Sequence, residues 1–292
     1  MEEKRKNVHI YLSLIVIALS IVSIILAKPK TPTLSYGANV SFKWNSQTGL
    51  QSTPTPTVFD PFPYSPPKIP VSRAYRIMLV GDSMVDALGL NANLLRQHLI
   101  EYYPEHEFVN YNYGFGATSI ETLPERLENQ TLYNGASFPA ILSQGFDLII
   151  IESFAYNPLS QNEVGQGLEK HKKILDDSIR QIIKARPESV VAIMVTIAPS
   201  KTHFAKGVYE LSPKERTRWA EERIAYVEST VAYAKENNIP LINVYEKSLN
   251  SDGSGNLIYI NPDDYIHPSV EGIDLISKTI AEFIYTKKIF PE

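Results

Sequence analysis

The chain contains no cysteine, which excludes disulfide bonds, thiol nucleophiles and cysteine-ligated metal sites. It also lacks an excess of basic residues, because 28 Lys and Arg against 32 Asp and Glu give a formal net charge of -4. Nucleic-acid-binding domains carry a broad basic surface, so no nucleic-acid partner is expected. The length of 292 residues suits one α/β domain with additional segments.

A long uncharged and mostly apolar run lies near the N-terminus, at Ile10–Ala27. A run of this length is at the short end of what a membrane-spanning helix needs. A cleaved signal peptide is the alternative, but no clear small-x-small cleavage site follows the run. Three basic residues precede the run and two follow it, which favours a cytoplasmic N-terminus. We therefore expect residues 1–30 to form an uncleaved, single-pass membrane anchor, with the rest of the chain on the extracytoplasmic side.

Residues 31–72 are predicted to form a proline-rich linker. Proline at high density disfavours helices and central strands and favours the extended polyproline II conformation. Such a segment would hold the following domain away from the membrane as a semi-rigid spacer. The alternative is a tail wrapped on the domain surface, which the aromatic residues Phe59, Phe62 and Tyr64 favour for the final stretch. The prolines are Pro54, Pro56, Pro61, Pro63, Pro66, Pro67 and Pro70.

Residues 73–292 alternate between short apolar runs and helix-like stretches, which predicts a parallel sheet covered on both faces. The predicted strands are Ile77–Val80, Phe108–Tyr111, Leu148–Ile151, Val190–Ile197 and Leu241–Val244. The predicted helices are Asn91–Tyr103, Ile120–Glu128, Pro139–Ser143, Gly167–Ala185, Lys214–Glu236 and Val270–Thr286. The fold class is therefore α/β, a doubly wound three-layer sandwich with a mostly parallel five-stranded sheet. Its functional groups should gather beyond the carboxyl ends of the strands.

The first chemistry-bearing motif is Gly81-Asp82-Ser83, which directly follows the predicted strand Ile77–Val80. A serine at a tight strand-to-helix turn is exposed, and the following helix start supplies free N–H groups and a positive dipole end. Both features suit a nucleophile and a developing oxyanion. The alternative is a helix N-cap serine, which is a common use of this residue.

The second motif is Asp264-Tyr265-Ile266-His267-Pro268. A carboxylate three residues before a histidine can accept the Nδ1 proton, which leaves Nε2 to take a proton from serine. Asp263 lies next to Asp264 and is an alternative partner. A purely structural alternative is a turn that leads into the last helix, with Ser269 as its N-cap. The remaining histidines lie in the predicted membrane anchor, in polar helical or loop settings, or in a long loop at 200–218. This loop either shapes the substrate site or is a surface excursion.

These motifs resemble the blocks of the SGNH hydrolase family, the GDSL-like lipases and esterases. The resemblance covers roughly residues 75–287 and implies a flavodoxin-like SGNH fold. The first block corresponds to Gly81-Asp82-Ser83, although Met84 replaces the usual leucine, and the last block to Asp264–Pro268. The second block resembles Asn112–Ser119, with Gly116 as its glycine. The third block corresponds to Ile151–Asn157, although the usual Gly-x-Asn-Asp is absent and Pro158 follows.

The resemblance implies a role for each matching residue. Ser83 is the nucleophile, His267 the general base and acid, and Asp264 the residue that orients the histidine. The backbone N–H groups of Ser83 and Gly116 and the side-chain amide of Asn157 form the oxyanion hole. No cofactor and no metal are expected.

The resulting functional hypothesis is a membrane-anchored serine esterase that hydrolyses O-acyl esters, with O-acetyl groups on envelope carbohydrate as the expected substrate. Its partners would be an ester-bearing small molecule or glycan and the membrane. Three alternatives stay open at this point: an O-acyltransferase acting on glycan, a lipase or thioesterase, and a catalytically silent glycan-binding module.

Overall fold

The computed structural model describes residues 62–291. The predicted membrane anchor and most of the predicted linker lie outside these residues. None of the helices that the model describes combines the length and the apolar composition that crossing a bilayer requires.

A five-stranded sheet forms the centre of the domain. Its strands are β1 (Ala74–Gly81), β2 (Glu107–Gly114), β5 (Leu148–Glu152), β6 (Val190–Val195) and β7 (Leu241–Asn243). They lie in the order β2-β1-β5-β6-β7, and every neighbouring pair is parallel. The predicted parallel five-stranded sheet is therefore confirmed, with each predicted apolar run inside or overlapping one strand.

Helices cover both faces of this sheet. The α-helices are α1 (Ser83–Asp86), α2 (Asn93–Tyr102), α3 (Leu123–Glu128), α4 (Val164–Ala185), α5 (Pro213–Glu236), α6 (Val244–Lys247) and α7 (Val270–Thr286). Short 3₁₀ turns occupy Ile120–Thr122, Ile141–Ser143 and Leu257–Tyr259. The second predicted helix is thus a 3₁₀ turn that continues into α3, and the stretch predicted at Pro139–Ser143 is only a 3₁₀ turn.

The alternation of side chains along β1 shows why the domain has three layers. Ile77 and Leu79 point to one face, where they join the apolar cluster that includes residues of α2 and α7. Met78 and Val80 point to the other face and pack with residues of α4 and α5. Successive side chains of a strand face opposite sides of the sheet. A strand that is apolar on both sides therefore needs helices packed against both faces of the sheet.

A small antiparallel hairpin was not predicted from the sequence. Its strands are β3 (Thr131–Tyr133) and β4 (Ala136–Phe138). The connection is Asn134-Gly135, and both residues have positive φ angles of 49° and 78°, as a type I′ hairpin turn requires. The Asn-Gly pair was the available signal, but strands of three residues are too short to show an alternating pattern.

The end of the predicted linker belongs to the packed domain. Tyr64 is only 5% exposed, and its phenol oxygen accepts a 2.9 Å hydrogen bond from the N–H of Val191 in β6. Its own N–H donates to the carbonyl oxygen of Asn237 at 2.9 Å. The packed part of the chain therefore begins before residue 73, with Tyr64 packed against β6.

Candidate active site

Ser83 stands at the sharp turn between β1 and α1. A Cβ atom on Gly81 would lie 2.8 Å from Glu152 Cβ, so only glycine allows β1 to end this close to β5. Asp82 then caps the short helix, because its Oδ1 accepts a 2.8 Å hydrogen bond from the N–H of Met84. The side chain of Ser83 is partly exposed. The capping role that the sequence left open for Ser83 is thus taken by Asp82.

The turn before α7 holds His267 against Asp264. The Nδ1 atom of His267 lies 2.7 Å from Asp264 Oδ2, while Oδ1 accepts the N–H groups of Ile266 and His267 at 2.7 and 3.0 Å. Burial raises the pKa of Asp264, but these hydrogen bonds outweigh the burial, so the pKa lies below its usual value. The neighbouring Asp263 is exposed, so Asp264 is the histidine's partner.

Asp82 links the turn after β1 to the loop after β5. It is fully buried, and its Oδ2 accepts a 2.9 Å hydrogen bond from the amide nitrogen of Asn157. Burial raises the pKa of Asp82, while the hydrogen bonds from Met84 and Asn157 and the nearby charge of His267 lower it. Asn157 therefore contacts the residue that precedes Ser83.

Gly116 brings the loop after β2 to the same place. A Cβ atom on Gly116 would lie 3.8 Å from Ser83 Cβ. Gly114, the other glycine of this motif, is packed under α1, where a Cβ would lie 2.8 Å from Asp86 Cα. Its N–H already donates to Asn112 Oδ1 at 2.7 Å. Of the two glycines, Gly116 is thus the one that faces Ser83.

The hairpin contributes a residue that the sequence did not reveal. The hydroxyl of Tyr133 accepts a 2.8 Å hydrogen bond from the N–H of Gly116 and donates one of 2.6 Å to Asp86 Oδ2. The Tyr133 ring is stacked on Phe115 with 4.7 Å between centroids. Burial and the hydrogen bond to Asp86 raise the pKa of the Tyr133 phenol, so the phenol is protonated at neutral pH.

A buried arginine, Arg126, lies behind the turn that carries Ser83 and hydrogen-bonds to Gly81 at the end of β1. Arg126 is 2% exposed and donates hydrogen bonds to the carbonyl oxygens of Gly81, at 3.2 Å, and Tyr113. Its guanidinium carbon lies 4.2 Å from the centroid of the Phe115 ring. Burial lowers the pKa of Arg126 to about 10, which the nearby charge of Asp82 opposes. Arg126 therefore joins the ends of β1 and β2 and supplies a positive charge near Asp82.

A second buried carboxyl group ends β5. Glu152 is fully buried and accepts hydrogen bonds from Ser153 Oγ at 2.5 Å and from the N–H of Phe154 at 2.8 Å. Burial, followed by the charge of Asp82, raises the pKa of Glu152 well above its usual value. The pKa values of the two neighbouring carboxyls are thus both raised, and burial is the main cause for each.

The loop at 200–211 contacts the turn that carries the histidine. The N–H of Ala205 donates to the carbonyl oxygen of Tyr265 at 3.2 Å, and the rings of His203 and Tyr265 are 5.2 Å apart. Phe204 anchors the loop, being 2% exposed with the guanidinium of Arg223 4.6 Å above its ring. This placement favours a role in shaping the site over a surface excursion.

One of the histidines expected in a polar setting, His171, is instead buried and has a structural role. His171 is 1% exposed, and its Nε2 lies 2.8 Å from the carbonyl oxygen of Ser153. Burial lowers its pKa to about 4, so the imidazole is neutral and helps to fix the loop after β5. Among residues 62–291, no three His, Asp or Glu side chains are grouped as a metal site would need.

The structure brings several of the predicted site residues into pairwise contact. Asp264 and His267 form a hydrogen-bonded pair, Gly116 faces Ser83, and Asn157 is held by Asp82. Within residues 62–291 no hydrogen bond joins Ser83 Oγ to His267. An accessible hydroxyl with an oriented imidazole and nearby N–H donors can perform acyl transfer, in which catalytic hydrogen bonds often tighten only when substrate binds.

No protein-family model matches the chain, and no curated protein matches it by sequence. Similar solved structures exist. One is described as a GDSL-like lipase from Parabacteroides merdae, with 16% identity, 77% of this chain and 100% of that chain covered, and a TM-score of 0.53. Another is described as an acylhydrolase from Bacteroides fragilis, with 15% identity, 77% of this chain and 92% of that chain covered, and a TM-score of 0.50.

Identities this low establish the fold alone. The described part of the chain has the α/β fold of GDSL-like lipases and acylhydrolases, as the sequence resemblance implied.

Proposed function

We propose that this chain is a carboxylic ester hydrolase of the SGNH type that works through an acyl-enzyme on Ser83. The observation that carries the proposal is the 2.7 Å contact between His267 Nδ1 and Asp264 Oδ2, and the partly exposed Ser83 is the proposed nucleophile. That contact fixes the imidazole so that Nε2 is the free basic nitrogen. A fold analogy would not by itself support a function, so the proposal depends on these side chains.

The proposed reaction has two stages. Ser83 Oγ attacks the ester carbonyl while His267 Nε2 takes the serine proton, and His267 then gives that proton to the leaving alcohol. Water, activated by the same histidine, next cleaves the acyl-serine bond and restores the free enzyme. Asp264 stabilises the imidazolium formed in each stage. The N–H groups of Ser83 and Gly116 and the amide of Asn157 would bind the oxyanion.

The proposed substrate is an O-acyl ester, with O-acetyl groups on envelope carbohydrate as the first choice. The support comes from the chain's N-terminal segment. An apolar run at Ile10–Ala27 suits a membrane anchor, and the proline-rich stretch after it suits a spacer. An anchored extracytoplasmic domain would reach envelope glycans. The partners in this proposal are therefore the membrane and an ester-bearing glycan or small molecule.

The experiment measures hydrolysis of p-nitrophenyl acetate, butyrate and octanoate by the full-length chain and by Ser83→Ala and His267→Ala. The matched control is His98→Ala, since His98 Nε2 also lies 2.8 Å from an aspartate, Asp274, but on α2. We expect both site variants to lose about 10³-fold or more in kcat, and the control to keep wild-type rates.

Each outcome separates the remaining functions. Preference for acetate supports a small acyl group, whereas preference for octanoate indicates a lipase-like enzyme. Transfer of acetyl to an added oligosaccharide faster than to water indicates an O-acyltransferase. Equal rates in the wild type and in both site variants would refute the serine mechanism and leave a binding module.

A further inference from the structure

The N–H group of Gly116, which the proposed function uses as an oxyanion donor, is already occupied. It donates a 2.8 Å hydrogen bond to the hydroxyl of Tyr133. The inference below depends on the proposed function, because it concerns how that donor becomes available.

The hydroxyl of Tyr133 cannot replace the donor that it covers. A phenol has one hydrogen, and Tyr133 gives it to Asp86 Oδ2 at 2.6 Å. The oxygen therefore presents a lone pair toward Gly116. An oxyanion approaching the same N–H would meet an acceptor where it needs a donor. The raised pKa of this phenol keeps its proton in place at neutral pH.

The phenol oxygen is also close to the nucleophile. A Cβ atom on Gly116 would lie 2.9 Å from Tyr133 Oη and 3.8 Å from Ser83 Cβ. The tyrosine hydroxyl and the serine thus border the same glycine. A substrate carbonyl that approaches Ser83 and uses the Gly116 donor must compete with Tyr133 for this N–H.

The element that carries Tyr133 is separate from the main sheet. Strands β3 and β4 pair only with each other within the part of the chain described here. A two-stranded hairpin of this length has little stability of its own. Its position depends on aromatic contacts, with Tyr133 stacked on Phe115 and Phe138 edge-on to the same ring at 4.8 Å. These contacts are made by side chains and not by backbone pairing with the main sheet.

We propose that Tyr133 is a positioning residue that gates the oxyanion hole: its hydroxyl must leave Gly116 before that N–H can bind the oxyanion. The closed arrangement is the one observed, with Asp86 holding the hydroxyl in place. Substrate entry then displaces the hydroxyl, and the hairpin moves with it.

The first arm of the test is the kinetics of Tyr133→Phe in the full-length chain. Phenylalanine keeps the stacked ring and removes the competing oxygen. We expect kcat on p-nitrophenyl acetate to rise roughly two- to tenfold, the range that corresponds to losing one neutral hydrogen bond, with KM little changed. The matched control is Tyr113→Phe, which also removes a hydroxyl from this group of aromatic side chains. The hydroxyl of Tyr113 donates to the carbonyl oxygen of Pro139 and does not contact Gly116. A purely structural role for Tyr133 would not raise kcat.

The second arm observes the Gly116 amide directly. Phe115-Gly116 is the only Phe-Gly pair in the sequence, so ¹³C-carbonyl phenylalanine with ¹⁵N-glycine selects one amide resonance. We expect this resonance to shift in Tyr133→Phe and to stay in place in Tyr113→Phe.

The outcomes distinguish the gate from the function. Suppose first that the wild type hydrolyses the ester and Ser83→Ala does not, so that the proposed function holds. The gate alone is then overturned if kcat of Tyr133→Phe is equal to or below that of the wild type. It is also overturned if the Gly116 resonance does not move in Tyr133→Phe. If the wild type and Tyr133→Phe both fail to turn over any ester, the proposed function is refuted and the gate with it.

Discussion

The side-chain amide of Asn157 donates a 2.9 Å hydrogen bond to the carboxylate of Asp82, the buried residue that precedes Ser83. An amide nitrogen carries two hydrogens, so Asp82 takes one and orients the other. Asn157 therefore contacts the residue that precedes Ser83 even though its local sequence departs from the Gly-x-Asn-Asp block. Phe154, which begins the same loop, has a positive φ of 52°.

Replacing Asn157 by alanine should reduce kcat on p-nitrophenyl acetate by about 10²–10³-fold, the usual cost of one oxyanion donor. KM should change much less, since the donor acts on charge that develops in the transition state. Asn162→Ala is the matched control, because this asparagine lies in the same loop and its amide donates to Leu159. A loss below about fivefold in Asn157→Ala would exclude Asn157 from the oxyanion hole.

Replacing Asp264 by asparagine should reduce kcat by about 10³–10⁴-fold, since an amide no longer holds the required tautomer of His267. It should also change how stability depends on pH. The folded-state pKa of Asp264 is lowered, so its ionised form stabilises the fold above the ordinary pKa of about 3.9. That contribution is lost as the pH falls through the lowered folded-state pKa.

The measurement is urea unfolding of the wild type and Asp264→Asn between pH 6 and pH 3. The wild type should be the more stable protein at pH 6, and the difference should shrink as the pH falls. Asp263→Asn is the control for the removal of a neighbouring exposed carboxylate and should leave kcat unchanged. A difference that stays constant with pH would contradict the lowered pKa.

Replacing Arg126 by methionine should lower the free energy of unfolding by about 3–5 kcal/mol, because one partner of a buried charged group is removed. Asp82 would lose a compensating charge, and the carbonyl oxygens of Gly81 and Tyr113 would lose their donor. Arg96→Met is the control, since Arg96 forms an exposed 2.6 Å ion pair with Glu107. Urea denaturation should show a cost of at most about 1 kcal/mol there; equal costs in both variants would contradict the prediction.

Replacing Tyr64 by phenylalanine should lower the free energy of unfolding by about 1–3 kcal/mol, because the N–H of Val191 is left buried without its acceptor. Tyr285→Phe is the control, since that side chain is 39% exposed. Thermal or urea unfolding of the full-length chain would measure both. Identical stability of Tyr64→Phe and the wild type would mean that residues 62–72 contribute little to the domain.

The sheet and the long helices could be predicted because their causes are local. A parallel strand covered on both faces must be apolar along its whole length, so runs such as Ile77–Val80 and Leu148–Ile151 are visible in the sequence. The last helix was predicted with the bounds observed, Val270–Thr286. Its start is marked by Ser269, whose Oγ accepts the N–H of Gly272 at 3.0 Å, so this local signal was also readable.

The supporting residues of the site could not be predicted in this way. Arg126, Glu152 and His171 are ordinary polar residues in the sequence, and only the packing of distant segments buries them. Tyr133 reaches Gly116 because a short hairpin folds back on the loop after β2. Such contacts depend on the position of one element relative to another, which local patterns do not encode.

By itself the sequence determined the alternation of strands and helices, the serine after β1, and the Asp264–His267 spacing, because each follows from residues close together in the chain. Only the tertiary structure decided what orients Asn157 and that the Tyr133 hydroxyl occupies the Gly116 N–H. Those relationships join residues from separate loops. Their energies come from burial and from hydrogen bonds that exist only after the sheet has brought those loops to one edge.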